Sequence, residues 1–292
     1  MGRRARPAMI GERIVLGTVQ LGLPYGRRRH ERPLAREAAL AVLDSAWDLG
    51  IRVFDTAEAY GDAPVRLGGW ITSRGHAAES HVLTKVDPRG GGDITALARA
   101  ALDRFPSVAG LTLLTHGIAT GDQWQAVLAV AQRRGVPVGQ SVYGPDEVAI
   151  ALALPDVSRL QAPGNVFDLG ALEARGSSVV PIDLRSVYLQ GALLEAPALA
   201  EARAPGTGAL AAAVGEAALT VGEPPAVMLL AVMDRACRPD DRLVVGVDSP
   251  EQLGVIPRAL TMAREVVDAF ARLVRERAPV TVRSGALDPR SW

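Results

Sequence analysis

The chain has 292 residues, 48% of them hydrophobic, with Gly and Pro scattered along it, an ordinary globular composition. Its 32 basic residues balance 32 acidic ones, so charge gives no support to a nucleic-acid or acidic-membrane partner. Cys237 is the only cysteine, which excludes an intrachain disulfide and fits a reducing cytoplasm, and no run approaches the length of a membrane span. The basic opening "MGRRARPAMIGER" lacks the apolar core of a secretion signal, and residues 1–12 read as a flexible lead.

Short β-branched runs then alternate with Ala/Leu-rich amphipathic segments. "RIVLGTVQ" predicts the first strand, and "LAREAALAVLDSAWDLG" its helix, with Pro33 ahead of it and Gly50 as a stop. "IRVFD" predicts the second strand; in the helix "DAPVRLGGWITSRG" that follows, Asp62 is a candidate cap and Pro64 suits the first turn. "HVLTKV" precedes "ITALARAALDRF", and "GLTLLTHG" precedes "DQWQAVLAVAQRRG". The later strands read "VPVGQSVY", "RLQAPGN", "SVVPIDLRSVY" and "RLVVGVD", with helices from about Pro145, Asp168, Gly208 and Pro250. The seventh helix follows the long connection "LQGALLEAPALAEARAPGTG" and splits at "GEPP". Eight βα units without a linker predict one α/β domain, a (β/α)8 TIM barrel over residues 13–292 with a C-terminal tail, "LDPRSW", that folds back or dangles. An open Rossmann sheet would carry G-x-G-x-x-G after its first strand, and "GTVQLGLPYG" does not supply it.

In such a barrel the reactive face is built where strands end. Asp55, Tyr60 in the loop behind it, Lys85 closing "VLTK" and His116 closing "LLTH" come from three consecutive strand ends and are expected to converge. An ammonium beside a phenol favours phenolate, so Lys85 is expected to pull Tyr60 below its usual pKa, with Asp55 keeping the lysine charged. His116 could then hydrogen-bond a substrate carbonyl oxygen. The plain alternative is a solvated ion pair at a strand end. His30, His76 and His81 read as surface histidines, and four histidines with one cysteine make no zinc pattern, so no metal is expected. Trp47, Trp70 and Trp124 fall in helices and read as packing. The basic loop "LPYGRRRHERP" could greet a substrate phosphate or carboxylate, or simply be solvated.

Taken in order, "LGTVQLGLPYG", "FDTAEAYG", "LTK", "LLTH", "SVYGPDE", "LQAPGNVFD", "RSVYLQGALL" and "VVGVDSPEQL" resemble the aldo-keto reductase superfamily, most closely its bacterial branch. That resemblance implies a nicotinamide cofactor across the barrel mouth and a tetrad of Asp55, Tyr60, Lys85 and His116, with Tyr60 as general acid in reduction and general base in oxidation. It assigns Ser141, Gln161 and, more weakly, Asn165 to the nicotinamide carboxamide. Where many relatives stack a Tyr on the nicotinamide, this chain has Arg185, which could stack in its place or meet an anionic substrate or a cofactor phosphate. Where relatives bind a 2′-phosphate with Lys and Arg, this chain has Gly246 and Gln252 with Asp248 between them. Ser249 and the amides behind it remain as backbone phosphate donors, and Arg258 as a distant base. Family default puts NADP(H) slightly ahead of NAD(H). The implied partner is a small-molecule carbonyl or alcohol, which the chain would reduce or oxidise in the cytoplasm; a redox-neutral lyase or epimerase and an idle regulatory barrel are the alternatives. Oligomeric state is not encoded in any seam or edge.

Overall fold

The computed structural model describes residues 10–26, 32–279, 282, 285–288, 290 and 292. Residues 1–9 of the expected lead and Arg27, Arg28, Arg29 and His30 of the basic loop therefore lie outside the described residues, while Ile10–Arg13 forms a helical turn.

Eight parallel strands close into a barrel in chain order: β1 Ile14–Gly17, β2 Val53–Asp55, β3 His81–Val86, β4 Gly110–His116, β5 Val138–Ser141, β6 Arg159–Pro163, β7 Ile182–Arg185 and β8 Arg242–Gly246. β1 pairs with both β2 and β8, so no edge is left. This is the predicted (β/α)8 barrel. Helices follow the strands where the periodicity placed them. Ile94–Asp103 begins at Asp93, whose carboxylate accepts from Thr95 N at 2.8 Å. Ala63–Arg74 carries Pro64 in its first turn, but Asp62 makes no capping bond and instead lies 3.9 Å from Arg66. The seventh helix breaks as expected, Thr207–Val221 meeting Pro225–Ala236 at 94°, because Pro224 and Pro225 cannot continue the ladder.

Two spans differ from the sequence reading. β7 is only four residues long, since Pro181 offers no ladder N–H and Ser186 turns the chain with φ +67. The long connection after it is not bare: it holds a 3-10 segment, Leu189–Leu194, and a short helix, Pro197–Arg203, with proline at its start.

Alternation along the strands sorts their side chains into two sets. Outward residues such as Phe54 pack under the helices, its ring meeting Trp70 edge-on at 5.4 Å, and Trp70 and Trp124 are fully buried as packing residues. Inward residues form layers along the axis. At the amino-terminal end Arg159, Asp183 and Arg242 form an ion cluster; in the middle Val15, Val53, Leu83 and Val244 form a small apolar plug; at the carboxy-terminal end come Asp55, Lys85 and Gln161. His81, Leu83 and Lys85 show the rule on one strand, because positions two apart share a face.

His81 is therefore not a surface residue. Its Nε2 pairs with Thr112 Oγ1 at 2.9 Å, and burial, with Arg242 and Arg159 adding repulsion, pushes its pKa down to about 4. His76 is also not free, lying flat on Trp47 with ring centroids 3.6 Å apart. A depressed histidine stabilises the fold fully above its unfolded value of 6.5, and that stabilisation is lost as pH falls toward the folded value of about 4, because only the unfolded chain takes up the proton. The urea midpoint is accordingly expected to fall between pH 6.5 and 4. His81→Gln should flatten part of that fall, and an unchanged slope would show that His81 is solvated.

Candidate active site

The inward alternation brings one polar side chain from each of several strands to the carboxy-terminal mouth: Asp55, Lys85, His116, Ser141, Gln161 and Arg185. Lys85 Nζ donates to Asp55 Oδ1 at 2.5 Å, to the Thr56 carbonyl at 3.2 Å and to Tyr60 Oη at 3.2 Å. Tyr60 reaches this point on the tight loop behind β2, where its amide bonds Ala57 O and its carbonyl accepts from Ala63 N. The neighbouring turn presses on that loop so closely that a Cβ on Gly22 would sit 2.1 Å from Tyr60 O, so glycine there lets the phenol reach the mouth. The His116 ring stands edge-on to Tyr60, centroids 5.9 Å apart, with its Nδ1 buried and unpartnered. All four expected tetrad residues therefore come together.

Their protonation follows from burial. Tyr60 is raised well above the ordinary phenol value by burial first and by Asp55 second, against a lowering pull from Arg185. The expected net lowering by Lys85 does not prevail. A desolvated phenol beside a carboxylate keeps its proton even with an ammonium 3.2 Å away. Burial lowers Lys85, opposed by Asp55. His116 is pushed down to about 4 by burial and then by Lys85, so its ring is neutral at physiological pH.

Of the eight residues assigned to a cofactor, all but Ser249 divide into two groups. Arg185, Gly246, Asp248 and Gln252 line, with Asp55 and Tyr60, a cavity of about 260 Å³ at the mouth. Ser141, Gln161 and Asn165 lie behind that surface, at most 1% exposed. Gln161 is committed inward, Nε2 donating to Asp55 at 2.7 Å and Oε1 accepting from Ser141 at 3.2 Å. Asn165 Oδ1 accepts from Phe167 N. Gln161, with Ser141 behind it, thus braces Asp55, because an amide that spans the barrel satisfies the second donor need of that carboxylate, whereas Asn165 holds its own loop. The Arg185 guanidinium lies on the Tyr143 ring at 4.1 Å and donates to Val142 O at 3.2 Å.

At β8, a Cβ on Gly246 would meet the Gln20 amide at 2.5 Å, so this glycine makes room for Gln20. Gln252 folds back to accept from Asp248 N at 2.8 Å. Ser249 begins only a five-residue 3-10 segment, Pro250–Gly254, and its hydroxyl bonds Glu251, which leaves little helix dipole for an anion. Arg258 is paired with Glu223 at 2.6 Å. A nicotinamide dinucleotide still fits in outline. The cavity runs from Tyr60 past Gly17 and Gln20 to Asp248, and among the described residues Gln20 Oε1 is a buried acceptor without a donor there.

Tyr25, Tyr143 and Arg290 were not singled out from the sequence. Tyr25 lines the cavity and is pushed up to about 12 by burial, while Arg290 covers the Tyr143 ring at 3.8 Å, so the tail folds back over the mouth. The available signal was scarcity: all four tyrosines of the chain lie just beyond strand ends. Ser186, Leu189 and Gln190 hold φ of +67, +49 and +52 in the loop lining the cavity, a strained backbone of the kind that collects at functional sites.

The sequence model of the aldo/keto reductase family matches residues 13–105, the segment that supplies Asp55, Tyr60 and Lys85. The resemblance read from the sequence is borne out over that segment, and the fold is the (β/α)8 barrel that it implied. Among solved structures, the glycerol dehydrogenase of Gluconobacter oxydans is 15% identical with TM-score 0.69, covering 92% of this chain and 93% of that one. The aldose reductase of Giardia lamblia is 13% identical with TM-score 0.68, covering 94% and 95%. An aldo/keto reductase of Brucella melitensis is 14% identical with TM-score 0.64, covering 89% and 92%. At such identities these likenesses establish the barrel. No curated protein sequence matches the chain.

Proposed function

We propose that the protein is a nicotinamide-dependent carbonyl reductase or alcohol dehydrogenase in which Tyr60 transfers the proton. The observation that carries this reading is the chain Asp55, Lys85, Tyr60, joined at 2.5 and 3.2 Å, opening onto a cavity with a neutral imidazole at its side. A bound dinucleotide would supply or accept the hydride, held by Gln20, Asp248 and Gln252 along the cavity. The chain's own groups handle the oxygen. In reduction, the Tyr60 hydroxyl gives its proton to the carbonyl oxygen as negative charge develops there. The Lys85 ammonium then stabilises the phenolate left behind, and the neutral His116 ring donates an N–H to the same oxygen. Asp55 and Gln161 fix the lysine, so the relay is preorganised. A tetrad kept in this geometry argues against an idle barrel.

Charge at β8 bears on the choice of dinucleotide. Asp248 puts a carboxylate on the lining of that end of the cavity, and Arg258, the base the sequence offered there, is tied to Glu223. That favours a free ribose over a 2′-phosphate, and NAD(H) over the family default of NADP(H).

Fluorescence titration with NADH and NADPH, followed by turnover of small aldehydes, tests the reading; binding of neither would end it. The raised pKa of Tyr60 gives the pH dependence its sign. The protonated phenol needed for reduction is present throughout the neutral and mildly alkaline range, so that rate should stay level. The phenolate needed for oxidation grows about tenfold per pH unit below the pKa, so oxidation should climb without a plateau through about pH 10. A plateau below about pH 9 would mean that Lys85 outweighs burial.

A further inference from the structure

We propose that Arg185 is an oxyanion anchor, and that the substrate carries a carboxylate or phosphate close to the carbonyl that Tyr60 protonates. This rests on the carbonyl-reduction reading and narrows its substrate class. Arg185 closes β7 on the inward face and lines the same cavity as Asp55 and Tyr60. Its guanidinium offers five N–H donors, and the contacts it makes are one bond to Val142 O and the face of Tyr143. Among the described residues it forms no ion pair. Its peers behave differently: the poorly exposed Arg159, Arg175 and Arg203 each face a carboxylate within 2.7 Å.

Arg185 is thus a half-buried cation with donors to spare, placed beside a second cation, Lys85, whose ammonium it destabilises. Asp55 is committed to Lys85 and Gln161, so the spare donors of Arg185 remain for an incoming anion. The charge of Arg185 is felt by Tyr60, Lys85 and His116, the proton-relay end of the cavity, and by Asp288 of the tail, which is itself bonded to Arg290, whereas the acid Asp248 marks the other end. An anion drawn to Arg185 therefore sits next to the reacting oxygen. A planar guanidinium held on a ring is preset for bidentate binding of carboxylate or phosphate oxygens.

The test uses matched substrates and binding without turnover. Glyoxylate is compared with glycolaldehyde, and glyceraldehyde 3-phosphate with glyceraldehyde, in the wild type, Arg185→Gln and Arg185→Lys. In at least one pair the wild type should prefer the anion by about tenfold or more in kcat/KM, mostly through KM. Which pair responds tells carboxylate from phosphate. Arg185→Gln should bring the ratio close to one, and Arg185→Lys should keep part of it. Calorimetry with oxalate and inorganic phosphate reads the anchor directly. If no aldehyde is turned over but oxalate or phosphate binds the wild type and not Arg185→Gln, the anchor stands and the carbonyl-reduction reading falls. Three results overturn the proposal: a ratio near one in the wild type, a ratio that Arg185→Gln leaves unchanged, or weakened NADH binding in Arg185→Gln with the anion preference intact.

Discussion

Replacing Tyr60 by Phe is expected to lower kcat for carbonyl reduction by about 10²- to 10⁴-fold, the usual worth of a positioned general acid, or roughly 3–5 kcal/mol of barrel-mouth chemistry. The substitution removes one oxygen. The ring that stands edge-on to His116 at 5.9 Å stays, and Lys85 keeps Asp55 and the Thr56 carbonyl after losing its bond to the phenol. The fold and the shape of the cavity should therefore persist, and nucleotide affinity should change by less than about threefold. The split between kcat and nucleotide binding is the diagnostic part. A merely structural tyrosine would move both or neither, since its hydroxyl would have no part in the transition state. Stopped-flow or steady-state turnover alongside nucleotide titration reads the two quantities separately. Turnover within about threefold of the wild type would remove Tyr60 from the chemistry and with it the proposed proton path.

How far the sequence went can be judged on particular residues. The eight strands were visible because β-branched runs ended in Gly-containing turns at regular intervals, and a closed parallel barrel is what so many βα units build. Asp55, Lys85 and His116 could be picked out as polar residues closing apolar runs, a local signal. The bond from Gln161 to Asp55 was not legible, because the two lie 106 residues apart and no local pattern encodes a bond across a barrel. The sign of the Tyr60 shift was misjudged for a related reason. A lysine in the motif is legible, whereas the burial that outweighs it depends on everything packed above the loop. His81 was hidden at the start of a strand, where solvent exposure is the default, until strand alternation put it in the inward layer with Leu83 and Lys85. The same alternation, applied to β6, β7 and β8, turns Arg159, Asp183 and Arg242 into one cluster that composition alone would scatter over the surface.

That cluster should make Asp183 among the costliest single residues to lose outside the mouth. Asp183 is fully buried, its Oδ1 facing Arg159 Nη1 at 2.7 Å and Arg242 Nε at 3.5 Å. Burial raises its pKa while both arginines pull it down, so the carboxylate exists there because two guanidinium groups share it. Asp183→Ala leaves those two cations, with side chains 15% and 14% exposed, facing one another across the space the carboxylate filled. Breaking a buried pair in this way costs about 3–5 kcal/mol, because an uncompensated buried charge remains. Asp183→Asn keeps an acceptor and the shape and should cost less, yet more than a surface substitution. A cluster that only completes the packing can be told from one that stabilises the barrel outright by the triple replacement Arg159→Met, Asp183→Leu, Arg242→Met. If desolvation of three charges roughly cancels their attraction, the triple variant should recover most of the loss of Asp183→Ala, although it removes two more polar groups. Urea unfolding of the wild type and the three variants measures this directly. A cost below about 1 kcal/mol for Asp183→Ala would mean that water reaches the amino-terminal end of the barrel and screens the arginines, and that the apolar plug of Val15, Val53, Leu83 and Val244 is the true floor of the core.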